Sequence, residues 1–216
     1  FVLFPGAGVG QNAPAAAPGL PGSLKDTPML DAWIRVDADG TIGVFTGKVE
    51  FGQGIKTAIV QLAAEELVVS PARIQLVTAD TMRTPNEGYT AGSNSMKDSG
   101  TAIMNAAAQV RETLVGIAAS RFGTSADSLT VADGVIRAAD GRSATYAELV
   151  SGQSLHVAAQ PQSKLRDPKR RAVVGKALPR LDIPGKVTGA VAYVQDLRLP
   201  NMAHARVVRP PSYGAR

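Results

Sequence analysis

The sequence predicts an α+β fold in which sheet and helix mix within one domain. Three observations carry the prediction. There are two pairs of short β-type runs, each split by a turn signal. There are two stretches of apolar residues at helical spacing. Strand and helix do not alternate in a regular series.

In chain order, residues 1–30 read as an extended arm, because Pro5, Pro14, Pro18, Pro21 and Pro28 deny them a continuous helix. The opening Phe1-Val2-Leu3-Phe4 is either the remnant of an export signal or a mature tail. Gly6-Ala7-Gly8-Val9-Gly10 has the look of a dinucleotide-binding loop, but no full strand precedes it and prolines follow. Ordered structure is expected from near Trp33. Residues 33–36 and 41–46 are β-type runs around Asp37-Ala38-Asp39-Gly40, which predicts a hairpin. Ile55, Ile59, Leu62, Ala63 and Leu67 then repeat at helical spacing, and Ser70-Pro71 marks an end or a new turn. Residues 74–77 read as a strand.

Residues 84–99 are polar and rich in small residues, too long a loop for a plain connector. Ile103, Ala106, Ala107, Val110, Leu114, Ile117 and Ala118 predict a second, longer helix ending near Phe122-Gly123. Residues 129–131 and 135–137 flank Ala132-Asp133-Gly134, a second hairpin signal, and residues 146–150 a short helix. Residues 31–150 thus form the main domain. Residues 151–185 have little apolar periodicity and read as a basic linker. Residues 186–216 (Val187, Val191, Tyr193, Val194, Leu197, Leu199, Val207, Val208) read as the start of a new β-rich unit. No repeat of fixed period is present.

Composition narrows the chemistry. The 216 residues are 44% hydrophobic but only 5% aromatic, so the core is expected to be aliphatic. The chain has no Cys, which excludes disulfides, a thiolate nucleophile and any Cys-held iron–sulfur cluster within it. Its two His are far apart, so a His-based metal site within the chain is not expected; three or four ligands are usual. No apolar run approaches the ~20 residues of a membrane-spanning helix. The net charge of +5 points to an anionic partner or to a basic surface. Lys164, Arg166, Lys169, Arg170, Arg171 and Lys176 form the densest basic run. It has no interleaved aromatics, which argues against a nucleic-acid-binding module. A Ser-His-Asp hydrolase lacks its G-x-S-x-G turn.

Two loops could carry a ligand. Glu50-Phe51-Gly52-Gln53-Gly54-Ile55-Lys56-Thr57 passes from strand to helix. Gly52 and Gly54 permit a sharp turn and close approach, and the helix N-terminus offers N–H groups to an anion. The Gln53 amide can donate and accept at once, which suits a heterocycle edge or an oxo group. The competing reading is a tight strand-to-helix turn. The second loop, Tyr89-Thr90-Ala91-Gly92-Ser93-Asn94-Ser95, offers hydroxyls and amides to a phosphate or a pterin, or is a solvated loop capping the next helix through Asp98 or Ser99.

Together and in this order, the loops resemble a known family. Residues 51–67 look like the glutamine-containing cofactor loop and following helix of the molybdenum hydroxylases, the xanthine dehydrogenase and aldehyde oxidase family. Residues 84–108 resemble that family's second pterin-contacting loop, and residues 180–211, with Arg180-Leu181-Asp182-Ile183-Pro184-Gly185-Lys186-Val187-Thr188-Gly189, the start of its α/β hammerhead domain. The hammerhead segment follows the cofactor loops here. That order is similar to the large subunits of the isoquinoline 1-oxidoreductase and nicotinate dehydrogenase branch.

The resemblance implies a molybdenum cytosine dinucleotide (molybdopterin) cofactor, and hydroxylation of N-heterocycles or oxidation of aldehydes with water as oxygen source. It implies a two-cluster iron–sulfur small subunit, a c-type cytochrome as acceptor, haem and clusters in partners only, and a periplasmic or periplasm-facing membrane-associated location. By position, Gly52, Gln53 and Gly54 would contact the pterin or the molybdenum oxo ligand. Ala91, Gly92, Ser93, Asn94 and Ser95 would line the pterin and its phosphates. The catalytic glutamate of the family comes from a far C-terminal part, so no catalytic or metal-ligating residue is expected in this chain. Glu50, Glu65 and Glu66 do not match that glutamate's motif, and Glu65 and Glu66 read as helix-surface residues. The chain alone is expected to perform no turnover and to need the remaining part of the large subunit. The rival reading is a non-catalytic assembly or binding module.

Overall fold

The computed structural model describes residues 19–151 and 156–214. The opening apolar residues and the Gly6–Gly10 run lie outside them. The architecture is α+β, as the sequence predicts. One unit runs to Asp182 and a second begins at Ile183.

In the first unit, β1 (Ile34–Val36) and β2 (Ile42–Thr46) form the expected antiparallel hairpin, with Ile34 opposite Val44 and Val36 opposite Ile42. Asp39 closes its turn by accepting the Thr41 N–H at 2.9 Å. From β2 the chain enters α1 (Ile55–Leu67) and returns in β3 (Ile74–Thr78), which pairs parallel to β2 with Ile42 beside Ile74 and Thr46 beside Thr78. This single β–α–β crossover makes β2 the central strand, and all five of its residues are buried.

α2 (Thr101–Phe122) packs against α1. A π-turn over Met96–Gly100 leads into it. Trp33, Ile42, Val44, Ile59, Leu67, Ile103 and Leu114 fill the shared core, and the Trp33 indole N–H donates to the Thr27 carbonyl at 2.9 Å. β4 (Thr130–Ala132), β5 (Val135–Arg137) and β6 (Ser143–Thr145) form a second, antiparallel sheet that turns Ile136 and Ala144 inward. Thr145 and Glu148 form a capping box on α3 (Tyr146–Val150).

Several expectations are corrected. Structure starts before Trp33: short 3₁₀ turns at Gly22–Lys25 and Leu30–Ala32 bury Leu24 and Leu30 in the core. Proline blocks a long helix there but not packing. Glu65 and Glu66 are each only 1% exposed, because partners distant in sequence cover them. The second unit holds no strand among its described residues, only α4 (Ile183–Val187) and a 3₁₀ turn at Val194–Asp196. Val187, Val191, Val194, Val207 and Val208 are exposed. A strand needs a neighbour for its N–H and C=O groups, and the described residues of this segment supply no facing layer.

Candidate functional site

The end of β2 sets the site. Thr46 is buried, and its hydroxyl contacts the Glu87 carboxylate at 2.8 Å and the Ser99 hydroxyl at 2.7 Å. A carboxylate only accepts, so Thr46 gives its one proton to Glu87, and Ser99 donates to Thr46. The Gly47 N–H also donates to Glu87, at 2.8 Å. Lys48 is 2% exposed and points its ammonium at the carbonyls of Glu87 (2.7 Å) and Tyr89 (3.1 Å). The Val49 N–H donates to the Thr90 hydroxyl at 2.9 Å. Residues 46–49 therefore latch the second loop to the sheet. Gly47 must be a glycine, since a Cβ there would lie 2.3 Å from the Pro85 carbonyl oxygen.

Glu50 organises the first loop. Its carboxylate accepts the N–H groups of Gly52 (2.7 Å), Gly54 (3.0 Å) and Lys56 (3.1 Å). Burial raises its pKa, but those backbone donors together outweigh the burial and hold it below the ordinary glutamate value. The anion expected at the α1 N-terminus is thus supplied by the protein itself. Gly54 caps α1 at φ 89°, and Gly52 sits at φ 109°, conformations that favour glycine. Gln53 is exposed, yet its amide is already oriented: it accepts the Phe51 N–H at 2.6 Å and donates to the Val49 carbonyl at 2.7 Å.

The second loop turns through consecutive left-handed residues, Gly92 (φ 65°) and Ser93 (φ 57°). Neither Asp98 nor Ser99 caps the helix through its side chain. A cavity of about 200 Å³ lies between the loops, lined by Gln53, Gly54, Ile55 and Ala58 on one side and Ser93, Ser95 and Met96 on the other. The fold brings Gln53, Gly54, Ser93 and Ser95 of the two candidate loops together on this cavity. Gly52, Ala91, Gly92 and Asn94 are exposed on the same two loops but do not line the cavity. Its lining is neutral: an amide, two hydroxyls and apolar side chains. That fits a flat heterocycle with polar edges better than a bare metal ion, for which the lining holds no carboxylate, imidazole or thiolate.

The family described as the molybdopterin cofactor-binding domain matches residues 7–174. The chain belongs to that family. It is similar to a nicotinate dehydrogenase chain of Pseudomonas putida, 39% identical over 95% of this chain and 18% of the relative. The beta chain of isoquinoline 1-oxidoreductase of Brevundimonas diminuta is 31% identical over 94% of this chain and 31% of the relative. The chain therefore spans less than a third of the length of either. Among solved structures, reconstituted CO dehydrogenase from Oligotropha carboxidovorans shares the fold, with a TM-score of 0.50 and 24% identity over 58% of this chain and 17% of that one.

In this molybdopterin cofactor-binding domain, the basic segment read as a linker is a strap that runs antiparallel along α1. The Glu65 carboxylate accepts three successive N–H groups, from Ala172 (2.9 Å), Val173 (2.6 Å) and Val174 (3.0 Å), and pairs with Arg166 at 2.8 Å. Burial raises the Glu65 pKa, but these donors and Arg166 lower it further, leaving a net depression. Glu66 pairs with Arg111 on α2 at 3.2 Å and accepts the Arg166 N–H at 3.0 Å. One and two turns back along α1, Gln61 donates to the Lys176 carbonyl (2.9 Å) and Thr57 accepts the Leu181 N–H (3.0 Å). From α2, the Gln109 amide bonds both ways with the backbone of Gln160. The strap thus ends beside the first loop, with Arg180 at 3.6 Å from Glu50. Thr57, Gln61 and Glu65 stand at i, i+4 and i+8, a polar stripe that is visible in the sequence but has no visible partner there.

Proposed function

We propose that this chain is the first cofactor-holding part of the large subunit of a molybdenum hydroxylase-type oxidoreductase, one that hydroxylates an N-heterocycle or oxidises an aldehyde with water as oxygen source. The observation that carries this is the convergence of Gln53 and Gly54 with Ser93 and Ser95 on one cavity. It is supported by the chain's membership of the molybdopterin cofactor-binding domain family and by relatives named for nicotinate and isoquinoline.

In this reading Gly52, Gln53 and Gly54 hold one edge of the pterin, and residues 91–95 line its other side and its phosphates. The bound group would supply two-electron redox chemistry. The protein's own part is to fix that group by hydrogen bonds whose donors are ordered in advance, as the Gln53 amide is by Phe51 and Val49. We further assign the cytosine dinucleotide form of the cofactor and a two-cluster iron–sulfur small subunit. To these we add a c-type cytochrome acceptor, a periplasmic or periplasm-facing location, and residues 186–216 as the start of a hammerhead domain completed by further polypeptide.

The test is metal and nucleotide analysis of the native particle containing this chain, wild type and Gln53→Ala. Molybdenum with acid-releasable cytidine nucleotide, sharply reduced in Gln53→Ala at an unchanged melting temperature, is the expected result. A particle without molybdenum, or a variant that retains all of it, would overturn the reading.

A further inference from the structure

Glu50 is the one acidic side chain inside the first loop, and its side chain is 4% exposed. Three backbone N–H groups of the loop converge on it. What faces it from the strap is Arg180, whose guanidinium lies 3.6 Å away. Arg180 is held in turn by Asp182, in a two-point pair at 2.9 and 2.8 Å, and the Asp182 side chain is 3% exposed. The same guanidinium lies against Gly54: a Cβ built there would be 3.8 Å from Arg180 Cζ.

Two roles fit an arginine beside a cofactor loop, a receptor for a ligand's phosphate or a fixed counter-charge for the protein. The local charge decides between them. Glu50, Asp182 and Arg180 sum to one net negative charge, which repels a phosphate, and two of the guanidinium's donors are already spent on Asp182. The carboxylate, by contrast, needs a cation, because a nearly buried charge without one is costly.

We propose that Arg180 is a positioning residue: oriented by Asp182, it holds the Glu50 carboxylate and through it fixes the Gly52-Gln53-Gly54 turn on which the cofactor would rest. The strap is then more than a connector. Its attachment along α1 through Glu65, Gln61 and Thr57 ends by delivering this one side chain to the loop. The geometric part stands without a cofactor; its importance for cofactor retention rests on the function proposed above. Lysine is a poor substitute, since one ammonium cannot make the two-point pair with Asp182 and still face Glu50.

The test is residue-resolved backbone hydrogen exchange of the full chain, in wild type, Arg180→Met, Arg180→Lys and Asp182→Asn. In Arg180→Met the amides of Gly52, Gly54 and Lys56 are expected to exchange about tenfold faster, while those of Ala172, Val173 and Val174 keep their wild-type rates. Arg180→Lys and Asp182→Asn are expected to fall between. Unchanged exchange at Gly52, Gly54 and Lys56 would overturn the proposal. So would equal acceleration at 172–174, which would mean that Arg180 merely fastens the strap. Molybdenum content of the native complex separates the two readings. Faster loop exchange with full molybdenum content would uphold the positioning role and remove the cofactor assignment of the loop.

Discussion

Glu65 accepts the Val173 N–H at 2.6 Å across a sequence separation of 108 residues, and the flanking Ala172 and Val174 N–H groups point at the same carboxylate. A carboxylate with three backbone donors and the Arg166 guanidinium is stable in a dry site only as the ion. Glu65→Gln keeps the shape but turns an NH₂ toward those donors. We expect it to lower stability by about 2–4 kcal/mol, read by denaturant unfolding. An effect no larger than that of an exposed control glutamate would show the clasp to be decorative.

The same carboxylate sets a pH dependence. The folded-state pKa of Glu65 lies below its ordinary value of 4.5, and so does that of Glu50. A depressed carboxylate contributes stability that is fully present above its unfolded value. That contribution fades as the pH falls below about 4.5 and is lost once the folded value is passed. Unfolding free energy is therefore expected to be flat at neutral pH and to fall on the acid side. Glu65→Gln should flatten that acid limb. If the variant's stability runs parallel to the wild type's at every pH, Glu65 is not the linked group.

Arg111 and Glu66 join α2 to α1 in the interior, at 8% and 1% side-chain exposure. Arg111 also donates to the carbonyls of Glu66 and Lys164, so one side chain ties both helices to the strap. Arg111→Met leaves a buried carboxylate with no cation and is expected to cost about 3–5 kcal/mol. Glu66→Gln in that background should lose much less than it does alone. A double-mutant cycle measures this, and strict additivity would exclude the coupling.

These contacts also mark the limit of what the sequence reveals. The spacing of Ile55, Ile59, Ala63 and Leu67 locates α1, and Asp37–Gly40 locates the first hairpin, because both are local signals. The Gly52-Gln53-Gly54 and Ala91–Ser95 loops stand out as small-residue runs. Partner choice is not local. The parallel pairing of β3 with β2 depends on where α1 lies. β6, with Ala144 as its only buried residue, offers too short a pattern to detect. Glu65 and Glu66 read as surface residues because burial of a charge is decided by partners tens of residues away, and the same holds for Lys48, whose partners are the Glu87 and Tyr89 carbonyls. The strap lacks periodicity because it is held by its backbone, and backbone donors carry no side-chain signature.

Gly47 and Gly52 separate two reasons for glycine at the site. A Cβ at Gly47 would lie 2.3 Å from the Pro85 carbonyl oxygen, so Gly47→Ala must push the second loop off β2. It is expected to cost about 1–3 kcal/mol and to speed exchange of the Val49 amide, which Thr90 holds. A Cβ at Gly52 meets nothing within 4 Å, so Gly52→Ala carries only the strain of φ 109°. That is on the order of 1 kcal/mol, with Val49 exchange unchanged. Equal effects of both variants on Val49 would refute the latch.

Tyr146 offers an alkaline counterpart to Glu65. It is 2% exposed, and its hydroxyl donates to the Leu67 carbonyl at 2.7 Å, joining α3 to the end of α1. Burial is the main cause that pushes its phenol well above the ordinary value of 10.0. With the folded pKa raised, the stabilisation is complete below about pH 10 and is lost as the pH rises toward the folded value. The difference in phenolate absorbance between wild type and Tyr146→Phe should therefore stay flat through pH 10 and appear only when the chain unfolds. Tyr146→Phe should also cost about 1–2 kcal/mol at neutral pH, because the Leu67 carbonyl loses its donor. A phenolate signal from Tyr146 at its ordinary pH in the folded chain would place the hydroxyl in water, not against Leu67.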